Sequence, residues 1–318
     1  MTDQIPTSAV RRVRIGNTAA QGGTRAFSVE VGGETCLPFL HFEGEMPLRP
    51  VIAWEIPDVR PDDWVETVRE PYAAVLDDPA AWARLAAEKM GARLLCLDLR
   101  GTNPDKQNRT AAEAAALVKK VLAEVNVPLI VKRPGPGEKG NEVLTACAEA
   151  AQGERVLLAS AVEDDYKTLV AAAIAYGHTV VAETPIDVNL CKQLNILISD
   201  LHFPPEGIVI DPLTGGLGYG LEYTYSVMER IRIQALGGDA MTQMPFISFV
   251  GQEVWKTKEV KVPVEKEPRW GDRTKRGVLW EIATAVSLLH AGADILVMRH
   301  PEAIAAVEKT IDGLMKKG

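Results

Sequence analysis

Eight short apolar runs, each followed by a stretch of helical pattern, constrain this chain more than any other feature. The runs are Val51–Glu55, Arg93–Asp98, Pro128–Lys132, Arg155–Ser160, Thr179–Glu183, Gly207–Asp211, Pro245–Ser248 and Asp294–Arg299. The helical stretches are Pro79–Met90, Thr110–Val125, Lys139–Ala151, Asp165–Tyr176, Asp187–Ser199, Leu221–Leu236, Asp272–His290 and Pro301–Lys316. A strand that is apolar throughout needs cover on both faces, and alternating helices supply that cover in a parallel sheet. Eight units without a change of rhythm predict a (β/α)8 TIM barrel, with an open doubly wound sheet as the alternative. The 318 residues suit one large barrel or two ordinary domains.

Residues 1–50 read differently and are expected to form an N-terminal β hairpin or cap on a barrel spanning 51–318. Arg12–Ile15 and Phe27–Val31 alternate polar and apolar residues. Gly32-Gly33 marks a turn, and Thr35–Phe42 is expected to return as a strand. Two loops exceed what a minimal barrel needs: Gly101–Arg109 and Phe249–Trp270. The second contains a weakly alternating segment, Val254–Val264, expected as a β-hairpin arm or a solvated insertion. Its Trp255 and Trp270 favour an interface if they are exposed.

The runs finish on Glu55, Asp98, Lys132, Ser160, Glu183, Asp211, Ser248 and Arg299. In a barrel these residues share the rim on which sites are built. They are either a ligand-binding ring or a set of mutual salt bridges. The sixth unit stands out. Its strand ends on Asp211, Pro212 stops the ladder, and Gly215, Gly216, Gly218 and Gly220 follow before the helix.

A net charge of −8 argues against nucleic-acid and anionic-membrane partners. No apolar run is long enough for a membrane span, and the first 20 residues lack a secretory signal pattern, so a cytoplasmic protein is expected. Cys36, Cys96, Cys147 and Cys191 form no CxxC pair, which argues against an iron–sulfur cluster or structural zinc in this chain. Four buried, inert thiols are the plain expectation. Of the five histidines, none lies in a GxSxG context, and only His300, at the rim, invites a test. There is no HExxH and no Walker A motif. Lys132-Arg133-Pro134-Gly135-Pro136-Gly137 is either a cationic clamp or a stiff turn. No self-sufficient catalytic set is visible and no metal ligands are assigned, which fits a binding barrel better than a hydrolase.

Several long segments carry a resemblance. IDPLTGGLGYGLEYTYSVMERIR at Ile210–Arg232, LDLRGTNPD at Leu97–Asp105 and IVKRPGPGEKGNEVL at Ile130–Leu144 are three of them. VLLASAVEDDYK at Val156–Lys167, AETPIDVNLCKQLN at Ala182–Asn195 and RGVLWEIATAVSLLHAGADILVMRHPEA at Arg276–Ala303 are the others. Together they resemble the small (delta) subunit of the corrinoid iron–sulfur protein, the acetyl-CoA decarbonylase/synthase delta family, from about residue 25 onward.

The resemblance implies a TIM barrel related to pterin-dependent methyltransferases. It implies a heterodimer with a large subunit that holds the [4Fe–4S] cluster and the corrinoid (cobalamin). That complex takes a methyl group from methyltetrahydrofolate through its methyltransferase and delivers it on cobalt to CO dehydrogenase/acetyl-CoA synthase. The barrel is then expected to cap the corrinoid without catalysis of its own. Combining strand-end geometry with that fold, the expected corrin contacts are Asp98, Asn103, Glu183, Asp211, Thr214, Gly215, Gly216, Gly218, Tyr219 and Gly220. The rival readings are a stand-alone pterin-dependent methyltransferase and a purely structural barrel.

Overall fold

The computed structural model describes residues 8–316. The first seven residues of the expected cap and the last two of the expected barrel lie outside them. Two strands precede the barrel, β1 (Val13–Ile15) and β2 (Val29–Val31), and they pair antiparallel. The barrel strands are β3 (Val51–Pro57), β4 (Leu95–Asp98), β5 (Leu129–Lys132), β6 (Leu157–Ala161), β7 (Thr179–Glu183), β8 (Ile208–Asp211), β9 (Phe246–Ser248) and β10 (Ala293–Met298). They close in the order β10-β3-β4-β5-β6-β7-β8-β9, all parallel. Each expected strand has its counterpart, and the open-sheet alternative is excluded.

The helices are α1 (Glu66–Arg69), α2 (Pro79–Lys89), α3 (Ala111–Glu124), α4 (Glu138–Ala150), α5 (Tyr166–Tyr176), α6 (Val188–Asp200) and α7 (Leu221–Leu236). They continue as α8 (Val250–Val254), α9 (Lys258–Lys261), α10 (Arg273–His290) and α11 (Pro301–Leu314). Several of the long ones begin at side-chain caps. Asp78 accepts from Ala80 and Ala81, Thr110 and Glu113 form a capping box, and Asp187 accepts from Asn189 and Leu190.

Side chains alternate across each strand. One set (Ala53, Cys96, Ile130, Leu157, Ala159, Val181, Val209, Ile247, Ile295 and Val297) fills the barrel interior. The other set packs against the helices. Val13, Ile15, Val29 and Val31 of the β1–β2 hairpin join the interior set, so the hairpin plugs the N-terminal end of the barrel. Burying each such side chain contributes roughly 1.5–3 kcal/mol. Gly16, at φ +86°, passes so close to Pro128 that an added Cβ would lie 2.7 Å from its ring. The plug is tied down by Arg25, which is buried. Its Nε meets Glu154 at 2.8 Å, and its guanidinium also donates to the carbonyls of Leu122 and Val125 at the end of α3.

Two expectations fail. Residues 35–42 form turns, not a strand. Pro38 has no N–H to give a ladder, and Phe39 sits at φ +61°, which a strand excludes. Val254–Val264 is not a hairpin arm. It falls in α8, α9 and the turns around them, and Trp255 and Val260 are buried. Trp255 packs where α10 carries Gly277; a Cβ there would stand 2.5 Å from the indole. Trp270 alone of that pair is exposed.

Candidate functional site

The C-terminal ends of the strands carry the site. The apolar interior ends on one further layer of inward-pointing residues: Glu55, Asp98, Lys132, Glu183, Asp211, Phe249 and Arg299. Alternation puts Phe249, not Ser248, in this layer, because Ile247 and Phe249 face the interior and Phe246 faces the helices. Ser160 falls where the β6–β7 register shifts.

Most of the layer neutralises itself. Arg299 makes a two-bond pair with Glu55, Nε to Oε2 at 2.8 Å and Nη2 to Oε1 at 2.7 Å. Lys132 Nζ lies 3.4 Å from Asp98 and 2.7 Å from the side-chain oxygen of Gln252, and it stands 5.3 Å from the centre of the Phe249 ring. Arg100 adds a second cation 3.4 Å from Asp98. The Arg299 and Arg100 guanidiniums lie 4.2 and 5.7 Å from the Trp64 ring. Burial by itself would raise the Glu55 pKa, but the Arg299 charge and its hydrogen bonds hold it below the usual carboxylate value. Asp211 is different. It is 2% exposed, and burial, followed by the neighbouring Glu183 carboxylate, pushes its pKa well above an ordinary aspartate. Beside the layer, burial pushes Asp58 up to about 6, against a 2.7 Å hydrogen bond from the Gly101 N–H.

The β8–α7 loop rises above this layer. Asp211 accepts from the Leu213 N–H at 2.9 Å, and Leu213 takes φ +59°. Thr224 donates to the Leu213 carbonyl at 3.0 Å. The glycines divide into two kinds. Gly216 and Gly220 shape the loop, because an added Cβ would stand 2.7 Å from the Gly220 carbonyl or 2.6 Å from Glu222. Gly215 and Gly218 have open space where a Cβ would go, and only Gly218 has a positive φ, +90°. Tyr219, between Gly218 and Gly220, is 93% exposed, and the buried Thr214 hydroxyl has no partner among the described residues.

All ten expected contact residues therefore lie at the C-terminal face, but they are not alike. Asp98 is engaged by Lys132 and Arg100, and the Asn103 side chain accepts from the Asp105 N–H at 2.8 Å within its own turn. Glu183, Thr214, Gly215, Gly218 and Tyr219 keep free binding capacity. In the clamp-or-turn segment both cations are engaged by the chain itself. Lys132 enters the mouth, whereas Arg133 is held by two bonds to Asp165 at 2.8 and 2.9 Å and by Asn141. His300 caps α11 through the Glu302 N–H and stacks on Trp255, which explains its place without chemistry. Gln252, Phe249 and Asp58 were not singled out from the sequence. Strict period-2 counting through Ile247 would have found Phe249; nothing in sequence marks Gln252.

All four cysteines are free and buried. Among the described residues, no group of three or more His, Cys, Asp or Glu is arranged to hold a metal ion. No helix there is long and apolar enough to cross a membrane.

The fold and this rim define a TIM barrel with a polar, largely self-neutralised mouth beneath a glycine-rich ledge. Comparison with solved structures agrees on the fold. A dihydropteroate synthase from Xanthomonas albilineans aligns over 85% of this chain and 94% of its own, with TM-score 0.56 at 16% identity. The Vibrio fischeri 7,8-dihydropteroate synthase aligns over 86% and 96%, with TM-score 0.59 at 11% identity. Sequence comparison goes further. The family model described as CO dehydrogenase/acetyl-CoA synthase delta subunit matches residues 12–309. The acetyl-CoA decarbonylase/synthase complex subunit delta of Archaeoglobus fulgidus is 42% identical over 310 residues, covering 96% of this chain and 68% of the relative. Subunit delta 1 of Methanosarcina thermophila is 40% identical over 308 residues, covering 95% and 70%. The chain belongs to the CO dehydrogenase/acetyl-CoA synthase delta subunit family.

Proposed function

We propose that the C-terminal face of this barrel covers a corrinoid held by a second protein, the large subunit of a corrinoid iron–sulfur protein. In this reading the pair receives a methyl group from methyltetrahydrofolate through a methyltransferase and passes it to CO dehydrogenase/acetyl-CoA synthase, in the cytoplasm. Residues 1–50 serve as a cap on the far end, and the barrel of residues 51–318 does the covering.

The observation that carries the proposal is the ledge at Gly215 and Gly218. Backbone is bare there, with space on the outer side that a Cβ would fill. A wide flat macrocycle needs such a surface, and a small substrate does not. The polar groups around it suit the amide side chains of a corrin: the Thr214 hydroxyl and the Tyr219 phenol can donate or accept, the Glu183 carboxylate accepts, and the raised pKa of Asp211 favours its donating, protonated form. Asp98, Asn103, Gly216 and Gly220 hold the mouth and loops in shape beneath them. When bound, the corrinoid supplies the methyl-carrying metal. The chain supplies a dry, positioned lid, and the internally paired Glu55, Arg299, Asp98 and Lys132 present little uncompensated charge to it.

The test is reconstitution with the corrinoid-loaded large subunit. Gly215→Val should leave the heterodimer assembled and change the cobalt absorption spectrum. An unchanged spectrum supports a purely structural barrel. Turnover of methyltetrahydrofolate by this chain alone supports a stand-alone methyltransferase and contradicts the proposal.

A further inference from the structure

Glu281 is 0% exposed, yet it makes no salt bridge among the described residues. Three N–H donors converge on its carboxylate from two other parts of the chain. The Arg299 backbone N–H reaches Oε1 at 2.7 Å. The Trp255 indole reaches Oε2 at 2.9 Å, and the His300 backbone N–H reaches the same oxygen at 3.1 Å. Glu281 stands on α10, Trp255 just after α8, and Arg299–His300 at the turn from β10 into α11. One side chain thus ties together the long β9–α10 segment, the helix that follows it, and the turn that presents Arg299 to Glu55. The Tyr72 hydroxyl holds the same turn from below, donating to the Arg299 carbonyl at 2.6 Å.

We propose that Glu281 is a positioning residue and a proton-sensitive lock: ionised, it fastens the segment after β9 and the Arg299 turn to the mouth, and protonated, it loosens them. The donor count argues for this directly. Every partner donates, so a proton on the carboxyl group finds no acceptor among them and weakens the N–H bonds made to it. The surroundings keep the proton within reach of ordinary pH. Burial raises the pKa to about 7, against the lowering effect of the Arg299, Trp255 and His300 hydrogen bonds. Of the charged and titratable groups nearby, Arg299 is paired with Glu55 and Glu253 with Lys256 at 2.5 Å; burial and the Glu281 charge raise the Tyr72 pKa, and burial lowers that of His300 against the opposing charges of Glu302 and Glu70. The lock is a property of this chain alone, so its test needs neither corrinoid nor partner.

The measurement is the indole N–H resonance of Trp255 in the full chain, assigned by its loss in Trp255→Phe. Between pH 5.5 and 8.5 it should shift with a midpoint near 7 and exchange with solvent faster on the acid side. In Glu281→Gln the shift should vanish and exchange should be fast throughout. If Glu281→Gln does not fold, Trp255→Phe serves instead. Its Arg299 and His300 amide resonances should still titrate together, with a midpoint moved upward because one stabilising donor is gone. A Trp255 resonance that does not move, or that titrates unchanged in Glu281→Gln because His300 is the titrating group, overturns the proposal. So do Arg299 and His300 amides that stay still in Trp255→Phe.

Discussion

Arg299 and Glu55 form a fully desolvated pair at the top of the barrel interior. Removing one partner leaves the other charge buried and unpaired. Arg299→Ala is therefore expected to cost about 3–5 kcal/mol in a urea unfolding series, and Arg299→Met with Glu55→Leu to recover much of it. Asp58 offers a pH test with a definite sign. Its folded pKa, about 6, lies above that of an unfolded aspartate, so the native state holds the proton more tightly. Its contribution is full at the acid end, is lost as pH rises from about 4 to 6, and amounts to about 2–3 kcal/mol by the pKa-to-energy conversion. In Asp58→Asn that slope should be missing when the two stability curves are subtracted; an unchanged slope contradicts the assignment. The two kinds of glycine separate as well. Gly220→Ala should destabilise by about 1–3 kcal/mol, because its φ of +150° and the Glu222 contact leave no room. Gly215→Ala should stay within about 0.5 kcal/mol of wild type.

Among the elements, the β1–β2 hairpin makes the clearest prediction. Ile15 is wholly buried among interior barrel residues, so Ile15→Ala should cost about 2–5 kcal/mol in the same unfolding assay although it lies outside the barrel strands. A cost under about 1 kcal/mol would mean that the plug is not part of the core. The barrel strands were legible in the sequence because both faces of a parallel strand are buried. A run such as Leu129–Val131 then reads as continuous apolar sequence whatever its neighbours are. The chain from 249 to 270 was not. Its weak alternation is shared by strands and by short helices with a single buried face, and what decides is where Trp255 finds room, beside Gly277 on α10. The rim ring was read nearly correctly because strand ends are set by the strands themselves. Which ring residues pair with each other was hidden, since that depends on side-chain reach across the mouth: Lys132 chooses Gln252 from a helix 120 positions away. The division of the four glycines was equally invisible, because it rests on what stands next to each of them.

At the scale of the whole molecule the two ends of the barrel are closed by different means. The hairpin closes the N-terminal end with apolar side chains, and the ring of Glu55, Asp98, Lys132, Asp211 and Arg299 closes the other with polar ones, most of them paired with each other. Between them the interior is packed with apolar side chains, which leaves no room there for a large ligand. The proposed covering role, beside a partner that holds the corrinoid, rests on family membership and on the bare ledge on the C-terminal face. The most direct measurement is amide hydrogen exchange over residues 213–220 in three states: the chain alone, with the corrinoid-free large subunit, and with the corrinoid-loaded one. Covering the corrinoid predicts strong protection of this loop only in the loaded complex. Equal exchange in the loaded and corrinoid-free complexes would show that the ledge never meets the corrinoid, and would contradict the proposed function.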